Sequence, residues 1–348
     1  MSVAATSPDT ATPPPRKPAW KVTLKWTIAL IVLGFVGWYL YDLYQTTDFG
    51  DELVFHWHWA AASGLAMVGL YGCILLSKRF LLEAFTKRRL PIKTMAAVTW
   101  VPLLGKFVPG KIASVVSATL VLKRVGVPAM VALSVFVLLD ALPILVGFVL
   151  SGMLLLEPVV REKVPGAPLL FGVLFVLGLI ALSPPVMRWG TATMLRVFKR
   201  PPLPHTPTLR DYGKPALCAV GQWMFNAVAV GLMCAAFAPA GEGPTLGDWP
   251  RLVGITAIAM CASYFGSFIV PQGVGVREVL FIPLLASVVP APAAAAATLG
   301  LRVLHTVIEL LLAGVGLLVL RGLLDQSAAE EPAETSESSS PLSPGAVT

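Results

Sequence analysis

Charge is what this sequence has least of. Asp, Glu, Lys and Arg make up 13% of its 348 residues, against 56% hydrophobic ones. With a mean hydropathy of +0.78, the chain has too little polar surface to cover a soluble particle, and its apolar runs demand a bilayer. Histidine is scarce as well: the four, at 56, 58, 205 and 305, do not gather into a metal centre or a nucleophile–base pair. The four cysteines, Cys73, Cys218, Cys234 and Cys261, all lie in apolar segments, and no Cys-x-x-Cys occurs. Neither a zinc site nor a disulfide framework is indicated, so they read as small packing residues. No cofactor or metal is implied.

The charge that is present leans positive, at +7. In a soluble domain that would point to nucleic acid. Here Lys and Arg stand beside apolar runs, where they set topology and meet anionic lipid surfaces. Taken in order, residues 1–20 form a Pro- and Thr-rich disordered tail, expected in the cytoplasm. A first span, Trp26–Tyr41, follows Lys21 and Lys25; it has no small-residue cleavage site and reads as retained. The loop with Asp42, Asp48, Asp51 and Glu52 lies outside. His56-Trp-His-Trp59 opens the second span; the aromatic belt explains it better than a His-x-His metal pair. Lys78, Arg79, Arg88 and Arg89 bring the chain back inside.

Thr94–Val108 is then too short to cross, since a crossing helix needs about 17–25 residues. Pro109-Gly110-Lys111 breaks it, and Ile112–Leu122 runs on to Lys123 and Arg124. A re-entrant hairpin keeps both basic ends inside. Further spans are expected at Pro128–Met153, Leu169–Val186, Pro215–Phe237 and Ala291–Leu320, with a strongly basic inner loop from Arg188 to Lys214. The fold class is thus an all-α polytopic membrane protein with about six full spans and two re-entrant hairpins. The transmembrane domain covers 21–322, in halves of about 21–153 and 168–322, and 323–348 is a second disordered tail.

The densest signal is Ser267–Pro283, where Pro271, Gly273, Gly275, Arg277 and Glu278 interrupt apolar sequence. Backbone breakers and charges are costly in hydrocarbon, so they mark a polar cavity. A helix starting after Gly273 would aim its unpaired amides there. The two broken segments also match. Pro109 precedes Pro128 by 19 residues and Pro271 precedes Pro290 by 19; twelve residues further on stand Asp140 and Arg302. Charge topology puts an odd number of crossings between them, which predicts an inverted repeat with broken helices meeting at the midplane.

Pro271-Gln-Gly-Val-Gly-Val-Arg-Glu278, followed by a small-residue span with Arg302, resembles the lysylphosphatidylglycerol synthase transmembrane-region family of flippase-like proteins. Pro109-Gly110 is similar to that family's weaker partner motif. The resemblance covers roughly Lys21–Arg321 and implies handling of phospholipids or polyprenyl-phosphate lipids in a bacterial cytoplasmic (inner) membrane, with both termini cytoplasmic. Two-part members add a soluble aminoacyl-transferase region, for which this sequence has no counterpart, so lysyl transfer is not implied. Gln272 stands where glycine is frequent, and Lys111 adds a positive charge at the first turn.

The function expected is therefore a lipid translocase. Its anionic headgroup would be held by Pro109, Gly110, Lys111, Pro271, Gly273, Gly275, Arg277, Glu278 and Arg302. Asp140 and Arg302 are expected to face each other, either as a gate or as a fixed ion pair. Arg277 and Glu278, adjacent on a helix, are expected to point apart. His305 and Glu309, one turn apart, could relay protons or share a packing hydrogen bond. The alternatives are a membrane enzyme acting on a lipid-linked substrate, or a non-transporting partner of a lipid-modifying transferase. An adjacent transferase gene would favour a transport or partner role over the enzyme.

Overall fold

The computed structural model describes residues 54–107, 112–124, 127, 129–156, 166–197, 209–268, 273 and 275–337. Every regular element among them is a helix. In chain order these are α1 (Trp57–Thr86), α2 (Ile92–Trp100) tightening into the 3-10 turns Val101–Phe107, α3 (Ile112–Arg124), and α4 (Ala129–Ser151) with a 3-10 end at Gly152–Leu156. Then come α5 (Ala167–Leu182), α6 (Pro184–Val197), α7 (Leu209–Phe237), α8 (Trp249–Gly266), α9 (Val276–Leu285) and α10 (Ala291–Glu337). Stretches Trp57–Thr86, Asp211–Phe237 and Ala291–Leu323 are each long and apolar enough to cross a bilayer. Ile92–Gly105, Asp140–Leu155 and Pro168–Leu182 are shorter apolar helices.

The centre of the bundle is the antiparallel pair α1–α7. Its register is pinned at three depths: the His56 amide donates to Ala236 O at 2.8 Å, Ser63 Oγ to Ala229 O at 2.7 Å, and Ser77 Oγ to Pro215 O at 3.2 Å. Lipid tails are as apolar as leucine, so helices in a bilayer associate by close packing over small residues and by hydrogen bonds between them. Both devices are present here. Gly69 lies under the Phe225 ring, where a Cβ would sit 2.7 Å from the ring edge.

A second antiparallel seam joins α4 to α8. Leu154 covers Gly254, Gly147 meets Cys261, and Asp140 meets Tyr264. Pro143 interrupts the regular ladder of α4, and its carbonyl accepts the indole N–H of Trp223 on α7 at 2.9 Å. At Gly147 three helices converge: a Cβ there would be 2.6 Å from Cys261 Sγ and 2.7 Å from the Trp223 ring. Gly147→Ala should lower stability by about 1–3 kcal/mol through overpacking. Thermal unfolding in detergent checks this, with Gly172→Ala, where a Cβ meets open space, as the neutral control.

The break expected at Pro109-Gly110-Lys111 lies outside the described residues, and the second is described only at Gly273 and from Gly275 on. α2 with its 3-10 turns packs back against α3, and α8 packs back against α9. Other boundaries differ from the sequence reading. The span expected at Leu169–Val186 ends at Leu182: Ser183 turns extended and Pro184 starts α6, so part of the expected basic loop is helical. α7 begins upstream of Pro215, and α10 runs to Glu337, past Asp325, because Ala328, Ala329, Glu330 and Glu331 are good helix formers. The segment 323–337 is therefore helix where a disordered tail was expected. The expected first span, the 1–20 tail and residues 338–348 lie outside the described residues.

Candidate functional site

The site begins where α8 turns into α9. The hairpin closes tightly because Gly266 meets Val276, whose Cγ2 would be 2.8 Å from a Cβ at that position. Between the helices, Gly273 and Gly275 hold φ of +62° and +89°, a region that side chains with a Cβ rarely adopt. Gly273 also lies against the Ser263 backbone carbonyl, with no room for a Cβ. These two glycines set where α9 starts and which way it points. Pro109, Gly110, Lys111 and Pro271 lie outside the described residues.

The start of α9 is not open as expected. Glu278, on its first turn, folds back so that Oε2 accepts the Gly275 amide at 2.7 Å. One of the amides expected to await a ligand is thus taken by the chain's own carboxylate. Oε1 of the same group accepts from Arg302 Nη1 on α10 at 2.5 Å and lies 3.5 Å from Arg277 Nη2. Arg277 and Glu278 therefore do not point apart: the flexible Arg277 side chain curls back to its neighbour. Glu278 is 2% exposed and Arg277 7%.

Arg277 is under-satisfied. Its guanidinium lies 5.9 Å from the centre of the Phe281 ring, and its Nε and Nη2 are buried without a hydrogen-bond partner. A buried guanidinium with unused donors is costly unless an anion completes it. Glu309 on α10 and Tyr71 on α1 lie within electrostatic range of it. The Tyr71 hydroxyl donates to Glu309 Oε1 at 2.6 Å. Two guanidiniums and two carboxylates from α9 and α10 thus make a formally neutral cluster, with a tyrosine from α1 attached.

The expected pairing of Asp140 with Arg302 is not what the structure shows. Arg302 is held by Glu278, and Asp140 Oδ2 accepts the Tyr264 hydroxyl at 2.8 Å. Each charge has its partner on the second hairpin, Tyr264 on α8 and Glu278 on α9. For Asp140 that partner is neutral, which no count of charges reveals. His305 Nδ1 lies 3.0 Å from Leu301 O in its own helix, and Glu309 takes Tyr71. Tyr71 and Tyr264 are the two participants the sequence did not single out. They lie 238 and 124 residues from their carboxylates, so no local spacing announces them.

Fold and site together define an all-helical membrane protein with a buried, charge-paired cluster where a helix restarts after a glycine turn. No family model matches the chain, and no curated protein matches it.

Proposed function

We propose that this chain is a membrane lipid translocase, similar to the flippase-like family its glycine motif resembles, and that it holds an anionic lipid headgroup at the α9 start. The observation that carries this reading is Arg277: a cation 7% exposed, in an apolar chain, with Nε and Nη2 lacking hydrogen-bond partners. Phosphate oxygens are the ligands a guanidinium fork matches best. Arg302, half-buried one helix away, supplies a second cation. Outward-facing Val303, Val307, Leu310 and Leu311 on α10 give lipid tails an apolar wall beside the cluster.

The inverted repeat belongs to the same proposal. The packing supports it: α2 and its 3-10 turns lie against α10, while α8 lies against α4. Each hairpin thus rests on the last helix of the opposite half, and α1 pairs antiparallel with α7, its counterpart in the repeat. Cysteines at Lys93 and Arg124 should both label from the cytoplasmic side. Labelling of position 124 only from outside would make the first hairpin a crossing and remove the repeat.

The test of function is lipid scrambling by the purified full chain in liposomes. Tail-labelled phosphatidylglycerol should equilibrate between leaflets, and Arg277→Gln should slow it at least about tenfold, the kinetic equivalent of losing one charge-assisted hydrogen bond. Movement no faster than in protein-free vesicles would rule the reading out. The bacterial inner membrane and cytoplasmic termini remain part of this proposal, as does a lipid-modifying transferase as partner.

A further inference from the structure

The donors that gather on Glu278 are those a phosphate would use. One oxygen takes the amide at the start of α9 (2.7 Å); the other takes Arg302 (2.5 Å) and faces Arg277 at 3.5 Å. A backbone amide at a helix start and two guanidiniums form an anion site by their chemistry. It holds an anion already, and that anion is part of the chain. The occupant is incomplete. A carboxylate has two oxygens, and these leave Arg277 Nε and Nη2 without hydrogen bonds although the side chain is more than nine-tenths buried. A phosphate group, with more oxygens at tetrahedral angles, can serve Arg302, the amide and the idle Arg277 donors at once.

We propose that Glu278 is a built-in competitor: its carboxylate fills the phosphate site at rest, and a phosphate-bearing ligand binds by displacing it. This rests on the reading of the cluster as a headgroup site and adds how the empty state is stabilised. Charge counting fits the exchange. With Glu278 in place, Arg277 and Arg302 balance Glu278 and Glu309. With its carboxylate swung out, the two guanidiniums against Glu309 leave one positive charge, which suits a singly charged phosphate ester. The swing needs only the side-chain torsions of Glu278, which stands on the first turn of α9. A site without the competitor would keep one positive charge uncompensated between ligands, a costly state in a low-dielectric interior. The competitor makes the empty site tolerable and holds affinity low enough for release.

The experiment measures ligand binding to the detergent-purified full chain by thermal shift, with inorganic phosphate and dihexanoyl phosphatidylglycerol as probes. Glu278→Gln keeps an oxygen for the Gly275 amide but gives up the charge, so it competes poorly. It should bind at least one probe about tenfold or more tighter than the wild type, the scale of one charge-assisted hydrogen bond. Adding Arg302→Gln to that variant should abolish the gain. Should Glu278→Gln not elute as a folded monodisperse species, Glu278→Asp serves instead. It keeps the charge but is too short to span both Gly275 and Arg302, and it should also bind tighter. The preferred probe names the source: a larger gain for the lipid assigns the site to a headgroup, and a larger gain for inorganic phosphate assigns it to the free ion. Unchanged or weaker binding of both probes in the folded variant overturns the competitor. Scrambling reads separately: tightened binding without lipid movement keeps the competitor and removes the translocase, and the reverse result does the opposite.

Discussion

Glu278→Ala is expected to be the most damaging single substitution in this chain. It removes the one anion that Arg277 and Arg302 share and leaves the 7% exposed Arg277 without its ion-pair partner. Breaking a buried pair from one side costs about 3–5 kcal/mol, because the surviving charge stays desolvated. Removing the stranded cation as well should restore much of this: Glu278→Ala with Arg277→Met keeps volume and deletes the charge. Arg302 is less buried, with 23% of its side chain exposed, and tolerates the loss better. The measurement is folded yield and thermal unfolding in detergent for the single and double variants. A double variant no more stable than Glu278→Ala would mean that the damage comes from lost packing and not from a stranded charge.

Gly273→Ala should follow closely. A φ of +62° costs a residue with a Cβ about 1–2 kcal/mol, and the new methyl would meet the Ser263 carbonyl, which is backbone and cannot rotate away. Overpacking adds about 1–3 kcal/mol. The control is Gly213→Ala on α7, where nothing lies within 4 Å of the new Cβ and helix propensity favours alanine. Equal melting temperatures for the two variants would show that the glycine turn is looser than its contacts imply.

How much of this was legible in the sequence depended on whether the signal was local. Long apolar runs are local, so α1, α7 and α10 were readable from hydropathy. Gly273, Gly275, Arg277 and Glu278 were readable for the same reason: breakers and charges are conspicuous in hydrocarbon. The partners were not. A charge in an apolar span must be compensated, which the sequence does say, but the compensating group is chosen by packing between helices. Asp140 and Arg302 each stand twelve residues after a proline and carry opposite signs, so pairing them is the natural inference from sequence; Tyr264 and Glu278 are the partners instead. A neutral hydroxyl leaves no charge pattern to follow. The restart of the chain as α6 was missed because the basic residues around Arg188 and Arg196 read as loop, although Pro184 at a first helical position marks a helix start as readily as a stop.

The α8–α9 hairpin is fastened at both of its ends. At one, Gly266 is closed against Val276; at the other, Arg251 Nη1 reaches from the start of α8 to Ser287 O just past α9, at 2.9 Å. Two rods clamped at head and foot behave as a single beam, so the hairpin cannot scissor open along its length. Bending is left to its joints with the rest of the bundle: the turn around Thr245–Asp248 before α8, and Ser287–Pro290 before α10. Any tilting of that beam carries Glu278 with Arg277, while Arg302 stays with α10. The bond between Glu278 and Arg302 is therefore the latch such a tilt has to break.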